Sequence, residues 1–378
     1  MGETGEERSG ARAVACIAAI FLALSAASLS PASAQDTTQA YPWRLSYFPY
    51  VVGSPNDGLM PLGRVVWFQA SRWDARTSVD REVAIEGGYS TRDAWLLRIQ
   101  GNFPRLAPGW RLQAIAEASR SAEYIVGSPI ASSATREIVG SDLTRVMGAH
   151  WRLALRAEAM HVNIPIQAGP NAGTAVTETD LRGRLALIYD HRDREYDTRR
   201  GYLFQGGALA GSAGTGYAGV YMREEIWVPL GERTRLAGQA GFRQFEETTI
   251  DAARIVPAWE NEFVAGGGPE SNRALPIGAG ASRGVEFESL ELRHDLFVFT
   301  GGAVAILAFG DWTRVLGGDP PVPLPKYDGV SSTNAPVGTT LGLGGGVALR
   351  LLRNAVLTAT VAVAHGDARV YVSSGWSW

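Results

Sequence analysis

The sequence predicts an all-β fold, a transmembrane antiparallel β-barrel of 16 strands, and three observations carry that prediction. Segments long enough to cross a bilayer alternate apolar with polar residues, no stretch beyond the first apolar run could span as a helix, and the chain opens on an export signal. Composition narrows the alternatives. At 378 residues with 46% hydrophobic content the chain is not a disordered polymer, and its 19% charged residues fall below the ~25% usual in soluble domains. The 35 basic against 38 acidic residues, a net charge of -3, leave no electrostatic footprint for nucleic acid, which is set aside as a partner.

The export signal comes first. Arg8 and Arg12 precede an apolar run from Ala13 to Leu24, and Pro31-Ala32-Ser33-Ala34 then presents small residues ahead of Gln35. Residues 1–34 are read as a secretory signal peptide, 35–43 as a short periplasmic segment and 44–378 as the barrel. Cys16, the single cysteine, sits inside the signal, so the mature chain is expected to carry neither a disulfide nor a thiol nucleophile.

A spanning helix needs ~20 consecutive apolar residues, and the best later candidate, Ala303 to Phe309, stops at Gly310-Asp311. The strand pattern is far stronger. In residues 110–118 Trp110, Leu112, Ala114 and Ala116 alternate with Arg111, Gln113 and Glu117; in residues 151–159 Trp151, Leu153 and Leu155 oppose Arg152, Arg156 and Glu158. The closing stretch sets Val370, Val372, Trp376 and Trp378 against Tyr371, Ser373 and Ser377. Lys326 is the only lysine, where a water-facing sandwich surface should be lysine-rich. Strands are expected near 44–53, 63–73, 82–90, 93–102, 110–120, 137–149, 151–162, 181–190, 201–211, 217–229, 233–246, 285–298, 301–311, 340–350, 354–365 and 368–378. An even number suits a closed bacterial barrel, and closure removes exposed edges. Residues 141–147, in the sixth, could instead form a short helix. Turn residues such as Ser54-Pro55-Asn56-Asp57-Gly58, Pro108-Gly109 and Gly366-Asp367 separate the strands, and two Gly/Pro-rich connections, 247–284 and 312–339, are long enough to be functional.

Few residues suggest catalysis. His150, His161, His191, His294 and His365 fall in no metal-binding spacing, so neither an enzyme nor a cofactor or metal is expected. Gly266-Gly267-Gly268 and Gly342-Leu343-Gly344-Gly345-Gly346 lack the strand–turn–helix setting of a phosphate loop.

Four stretches resemble the surface-antigen barrels of the BamA/TamA type, which include two-partner secretion transporters. Tyr189-Asp190-His191-Arg192-Asp193, followed by Arg200-Gly201-Tyr202, is similar to that family's Y-D-x-R-D…R-G signature between the eighth and ninth strands. Residues 263–275, with Gly266-Gly267-Gly268 and Ser271-Asn272-Arg273-Ala274-Leu275, resemble its A-G-G…S-V-R-G-F/Y stretch. Ser289-Leu290-Glu291-Leu292-Arg293 and Phe309-Gly310-Asp311 resemble the S-x-E-x-R and F-x-D of its twelfth and thirteenth strands. The resemblance covers roughly residues 180–378 and implies that Arg273 sits at the tip of a long extracellular loop folded into the lumen. A buried arginine needs carboxylates. Period-2 alternation places Glu291, Arg293 and Asp295 on one strand face, so Arg273 is expected to pair with Glu291 and Asp311; without the resemblance it reads as one more solvated loop cation.

Two features depart from the family pattern. Ala274 stands where the family has glycine, so the tip conformation is expected to differ. Only about eight residues separate the signal from the first strand, which leaves no place for POTRA domains and suggests a barrel-only member. The resemblance implies an outer-membrane protein of a Gram-negative bacterium that aids insertion, assembly or translocation through an opening between its first and last strands. Its expected partners are membrane lipid, a separate periplasmic protein and unfolded clients. The alternatives are a passive or plugged pore tuned by Arg111, Arg152, Arg156, Arg235 and Arg243, and, further off, a barrel hydrolase. Trp376 and Trp378 resemble the C-terminal aromatic signal by which such barrels are recognised for assembly, and would serve equally as interface anchors.

Overall fold

A computed structural model of the chain describes residues 41–72, 75–122, 133–165, 175–213, 215–245, 267–275, 284–316, 339–351 and 355–376. The expected signal, Trp378 and Lys326 lie outside these residues. The strands are β1 (Arg44–Ser54), β2 (Gly58–Ala70), β3 (Val79–Tyr89), β4 (Trp95–Ala107), β5 (Trp110–Ser121), β6 (Ala134–Met147), β7 (Trp151–Pro165), β8 (Ala175–Asp190), β9 (Gly201–Ala213), β10 (Thr215–Pro229), β11 (Thr234–Phe245), β12 (Gly284–Phe299), β13 (Gly302–Leu316), β14 (Thr339–Leu351), β15 (Ala355–Ala364) and β16 (Asp367–Ser374). Each pairs antiparallel with the next, and β16 returns to β1, closing the barrel. The end where β1 starts and β16 stops is called the terminal end below.

Period-2 alternation sorts the side chains. Along β12, Ser289, Glu291, Arg293 and Asp295 are buried inside while Leu290, Leu292 and Leu296 are exposed outside. Leu45, Leu97, Leu155, Leu185, Val220, Leu343 and Val361 extend the apolar outer surface. Trp110, Trp151, Tyr189, Phe297 and Phe299 crowd it near the terminal end. Inside, charges pair from strand to strand: Arg64 with Glu82 (2.6 Å) and Glu86 (3.2 Å), and Arg98 with Glu86 (3.5 Å) and Glu117 (2.7 Å).

Several strand boundaries differ from the expected ones. β2 starts at Gly58 rather than near 63, because Gly58 takes φ +73° and the strand begins directly from the turn. Pro61 is tolerated there: it lies just outside the pairing with β3, which starts at Leu62–Gly88. β4 runs on past Pro104 to Ala107, with the pairing to β5 irregular between Phe103 and Ala107. Residues 141–147 are strand, paired to both β5 and β7. β16 stops short of its expected end, at Ser374, because Gly375 adopts φ +98° and breaks the alternation.

The join between β1 and β16 is thin. Among the described residues their register contains one aligned pair, Gly53 opposite Val372, whereas β1 and β2 align from Arg44–Phe68 to Ser54–Gly58. Continuing that antiparallel register sets Ser374 opposite Val51, so no β16 residue faces the β1 edge from Arg44 to Pro49.

Candidate functional site inside the barrel

Two segments meet the inner wall through charge. The first is the connection between β11 and β12, of which residues 267–275 are described. Gly268 (φ +84°) donates to Leu275 O (3.0 Å), and Leu275 donates to Asn272 O (3.1 Å), closing a compact tip. The tip presents Arg273, which is 1% exposed. Its Nε and Nη2 donate to the two oxygens of Asp311 (2.8 and 2.7 Å), its backbone N–H also reaches Asp311 (2.9 Å), Nη2 reaches Ser289 Oγ (3.1 Å), and Nη1 pairs with Glu291. Ser289 donates to Asp311 (2.6 Å), and Arg293 donates to the other Glu291 oxygen (2.5 Å). The guanidinium also lies over the Phe309 ring, 3.3 Å from its centroid. Burial alone would favour neutral Arg273, but Asp311 and Glu291 outweigh it and hold the group charged, above its ordinary pKa.

The structure thus brings Arg273, Glu291, Arg293 and Asp311 into one network on the inner faces of β12 and β13. Three further residues hold the tip, none of them expected from the sequence to do so. Asn272 donates to Thr340 O on β14 (3.2 Å), Gln239 on β11 donates to Glu270 O (3.1 Å), and Tyr371 on β16 donates to Leu275 O (2.7 Å). Ala274 is accommodated: its φ is not positive, and it packs with Phe309, Ala362 and Ala364. The room comes from Gly342 on β14, where an added Cβ would stand 2.6 Å from Ala274 Cβ. Here it is the wall, rather than the tip, that supplies the glycine.

The second segment is the turn between β8 and β9, residues 191–200, at the terminal end. Asp193 organises it, accepting from the backbone N–H of Arg194 (3.0 Å), Arg199 (3.1 Å) and Arg200 (3.4 Å). Gly201 takes φ +128° and passes so close to His191 that a Cβ would sit 2.4 Å from its carbonyl oxygen, so this position requires glycine. Asp190, fully buried, binds Arg192 (Nε 3.0 Å), Arg76 (2.8 Å) and Arg152 (2.9 Å). The turn then presents two carboxylates. Glu195 accepts from Arg111 on β5 (2.9 and 2.5 Å) and Arg152 on β7 (2.7 Å); Asp197 accepts from Arg235 on β11 (2.7 Å) and Arg350 on β14 (2.6 Å). Burial would raise both carboxyl pKa values, but these arginines hold them below the usual carboxylate range.

The remaining expected positions resolve as follows. Arg156 pairs with Glu158, and Arg243 lies over Phe287, 4.0 Å from Glu270. Trp376 does not share the outer face with Val370: past Gly375 it turns inward, its ring 4.2 Å from the Arg293 guanidinium and 4.8 Å from that of Arg235. It is therefore no outward anchor here. His150 and His191 face each other, ring centroids 4.7 Å apart, while His161 and His294 meet Thr179 and Thr234. Among the described residues no cluster of three or more His, Cys, Asp or Glu could hold a metal ion.

No protein-family model matches the chain, and no curated protein matches it. Solved structures do. BamA from Haemophilus ducreyi lacking POTRA domains 1–3 is similar at 13% identity and TM-score 0.57, covering 88% of this chain and 70% of that one. CdiB from Escherichia coli aligns at 13% identity and TM-score 0.56, covering 88% of this chain and 62% of its own, and CdiB from Acinetobacter baumannii at 10%, 0.51, 89% and 66%. In fold, the chain is a barrel of the BamA and CdiB type.

Proposed function

We propose that the chain is an outer-membrane barrel of a Gram-negative bacterium, exported by residues 1–34, that lets client proteins insert or cross through the β1–β16 join. The apolar outer surface and its aromatic crowding at one end suit a bilayer. The carrying observation is the thin join, where Gly53 opposite Val372 is the one aligned pair among the described residues and the β1 edge from Arg44 to Pro49 is unfaced by β16. An unpaired strand edge offers a template for an incoming strand. The direct test is a locked join. Gly53→Cys with Val372→Cys, reconstituted in liposomes and oxidised, is expected to abolish the acceleration of folding that the unaltered chain gives a urea-unfolded eight-stranded barrel client, and reductant restores it. No acceleration by the unaltered chain, or none lost on oxidation, overturns the reading.

The paired charges lining the inner wall support a second reading, a solute pore. A steady, large single-channel conductance unchanged by Arg273→Ala would favour it; small, erratic conductance that rises on that substitution favours the plugged barrel. Unfolded clients, a separate periplasmic protein and membrane lipid are the partners this function would need.

A further inference from the structure

We infer that the terminal end of the barrel contains a binding site for an acidic peptide segment, which the β8–β9 turn occupies in the closed chain. Arg111, Arg152, Arg235 and Arg350 come from four separate strands, all largely buried, and converge on just two carboxylates of one short turn. Those carboxylates, Glu195 and Asp197, are spaced by a single residue, so the turn is itself a template for the ligand: a peptide presenting Glu-x-Asp. Arginine forks suit carboxylates, and Arg111 already grips both oxygens of Glu195.

The turn is anchored independently of these contacts. Asp193 closes its neck and His191 N–H donates to Tyr202 O (2.9 Å), so the carboxylates can be neutralised, or the crown displaced with loss of the Glu195 N–H bond to Arg76 O (3.0 Å), without unpicking the strands. Displacement takes away the carboxylate partners of Arg111 and Arg235, while Arg152 keeps Asp190 and Arg350 keeps Asp295. Half of the cluster is thus held by permanent partners and half is presented to whatever replaces the turn. The site differs from the β1–β16 join and requires no insertase activity, so its test is a binding measurement.

The probe is a fluorescein-labelled peptide containing Gly-Glu-Tyr-Asp-Gly, titrated by anisotropy into the full refolded chain, with a Gly-Gln-Tyr-Asn-Gly peptide as control. The variant E195Q/D197N leaves the arginines in place and removes the charge of their tethered competitor, weakening its hold on them. It is expected to bind the acidic peptide at least about tenfold tighter than the unaltered chain, since a site occupied in cis is available for only a fraction of the time. The single variants E195Q and D197N fall between, which keeps the test informative if the double variant does not refold. Adding Arg111→Ala and Arg235→Ala to any of them removes the gain, and the control peptide gains nothing. Equal affinity of unaltered and variant chains, equal binding of the control peptide, or a gain that survives loss of both arginines overturns the inference.

Discussion

The two charged segments inside the barrel are mirror images in sign. The β11–β12 tip offers a cation, Arg273, to carboxylates fixed on the wall; the β8–β9 turn offers carboxylates, Glu195 and Asp197, to arginines fixed on the wall. They differ equally in concentration. Arg273 gathers Asp311, Glu291 and Ser289 from two adjacent strands at 1% exposure, whereas the turn spreads its bonds over β5, β7, β11 and β14 and leaves the Glu195 side chain 20% exposed. A concentrated, dry contact is costly to break in any one place, while a dispersed, wetter one is weak at each point and open to salt.

The largest effect is therefore expected at Arg273. Arg273→Ala removes the only cation bound to buried Asp311 among the described residues and leaves Glu291 with Arg293 alone, and should cost about 3–5 kcal/mol, the usual penalty for removing one side of a buried pair. The measurement is the midpoint of heat-modifiable migration, with channel recordings in parallel; an unchanged midpoint would erase the contrast between the two segments. Gly342→Ala comes next. Its Cβ would stand 2.6 Å from those of Ala274, so the tip must shift, at about 1–3 kcal/mol of overpacking. Ala274→Gly on that background should recover only part of the loss in that midpoint, because the added Cβ also stands 2.6 Å from Asn272 Oδ1.

Acid should loosen the turn. The folded pKa values of Glu195 and Asp197 lie below their unfolded ones, so their contribution is complete at neutral pH and is lost as pH falls through the depressed values, below the ordinary carboxylate range. Conductance of the unaltered chain should rise over that acid window, and in E195Q/D197N this rise should be absent. The smallest effect belongs to Tyr371→Phe, which deletes one hydrogen bond to Leu275 O and should cost about 1 kcal/mol, read as more frequent brief openings.

The strands were legible because their physics is local. Alternation in residues 110–118 and 151–159 follows from neighbouring residues alone, and it placed Glu291 and Arg293 on the inner face. Two boundaries were not legible: Pro61 and Pro104 fall outside the expected spans 63–73 and 93–102 but lie within β2 and β4, each where the ladder with a neighbour is absent or irregular, which no single-strand pattern can show. The same limit hid part of the site. Asp190, Arg192, Asp193, Arg200 and Gly201 stood out by resemblance, but Glu195 and Asp197 between them did not, since their partners lie on strands far away in the chain. Ser374-Gly375 held the one local sign that Trp376 would leave the outer face, a glycine free to take positive φ.

That inward turn ties the two charged segments to one another. The Trp376 ring stacks on Arg293, which shares Glu291 with Arg273, and on Arg235, which holds Asp197. Linkage makes such a connection symmetrical: if loss of the tip weakens the turn by some factor through this indole, loss of the turn must weaken the tip by the same factor. A double-mutant cycle between Arg273 and Asp197, with Trp376 present and then replaced by alanine, would measure that conversation between the tip and the turn.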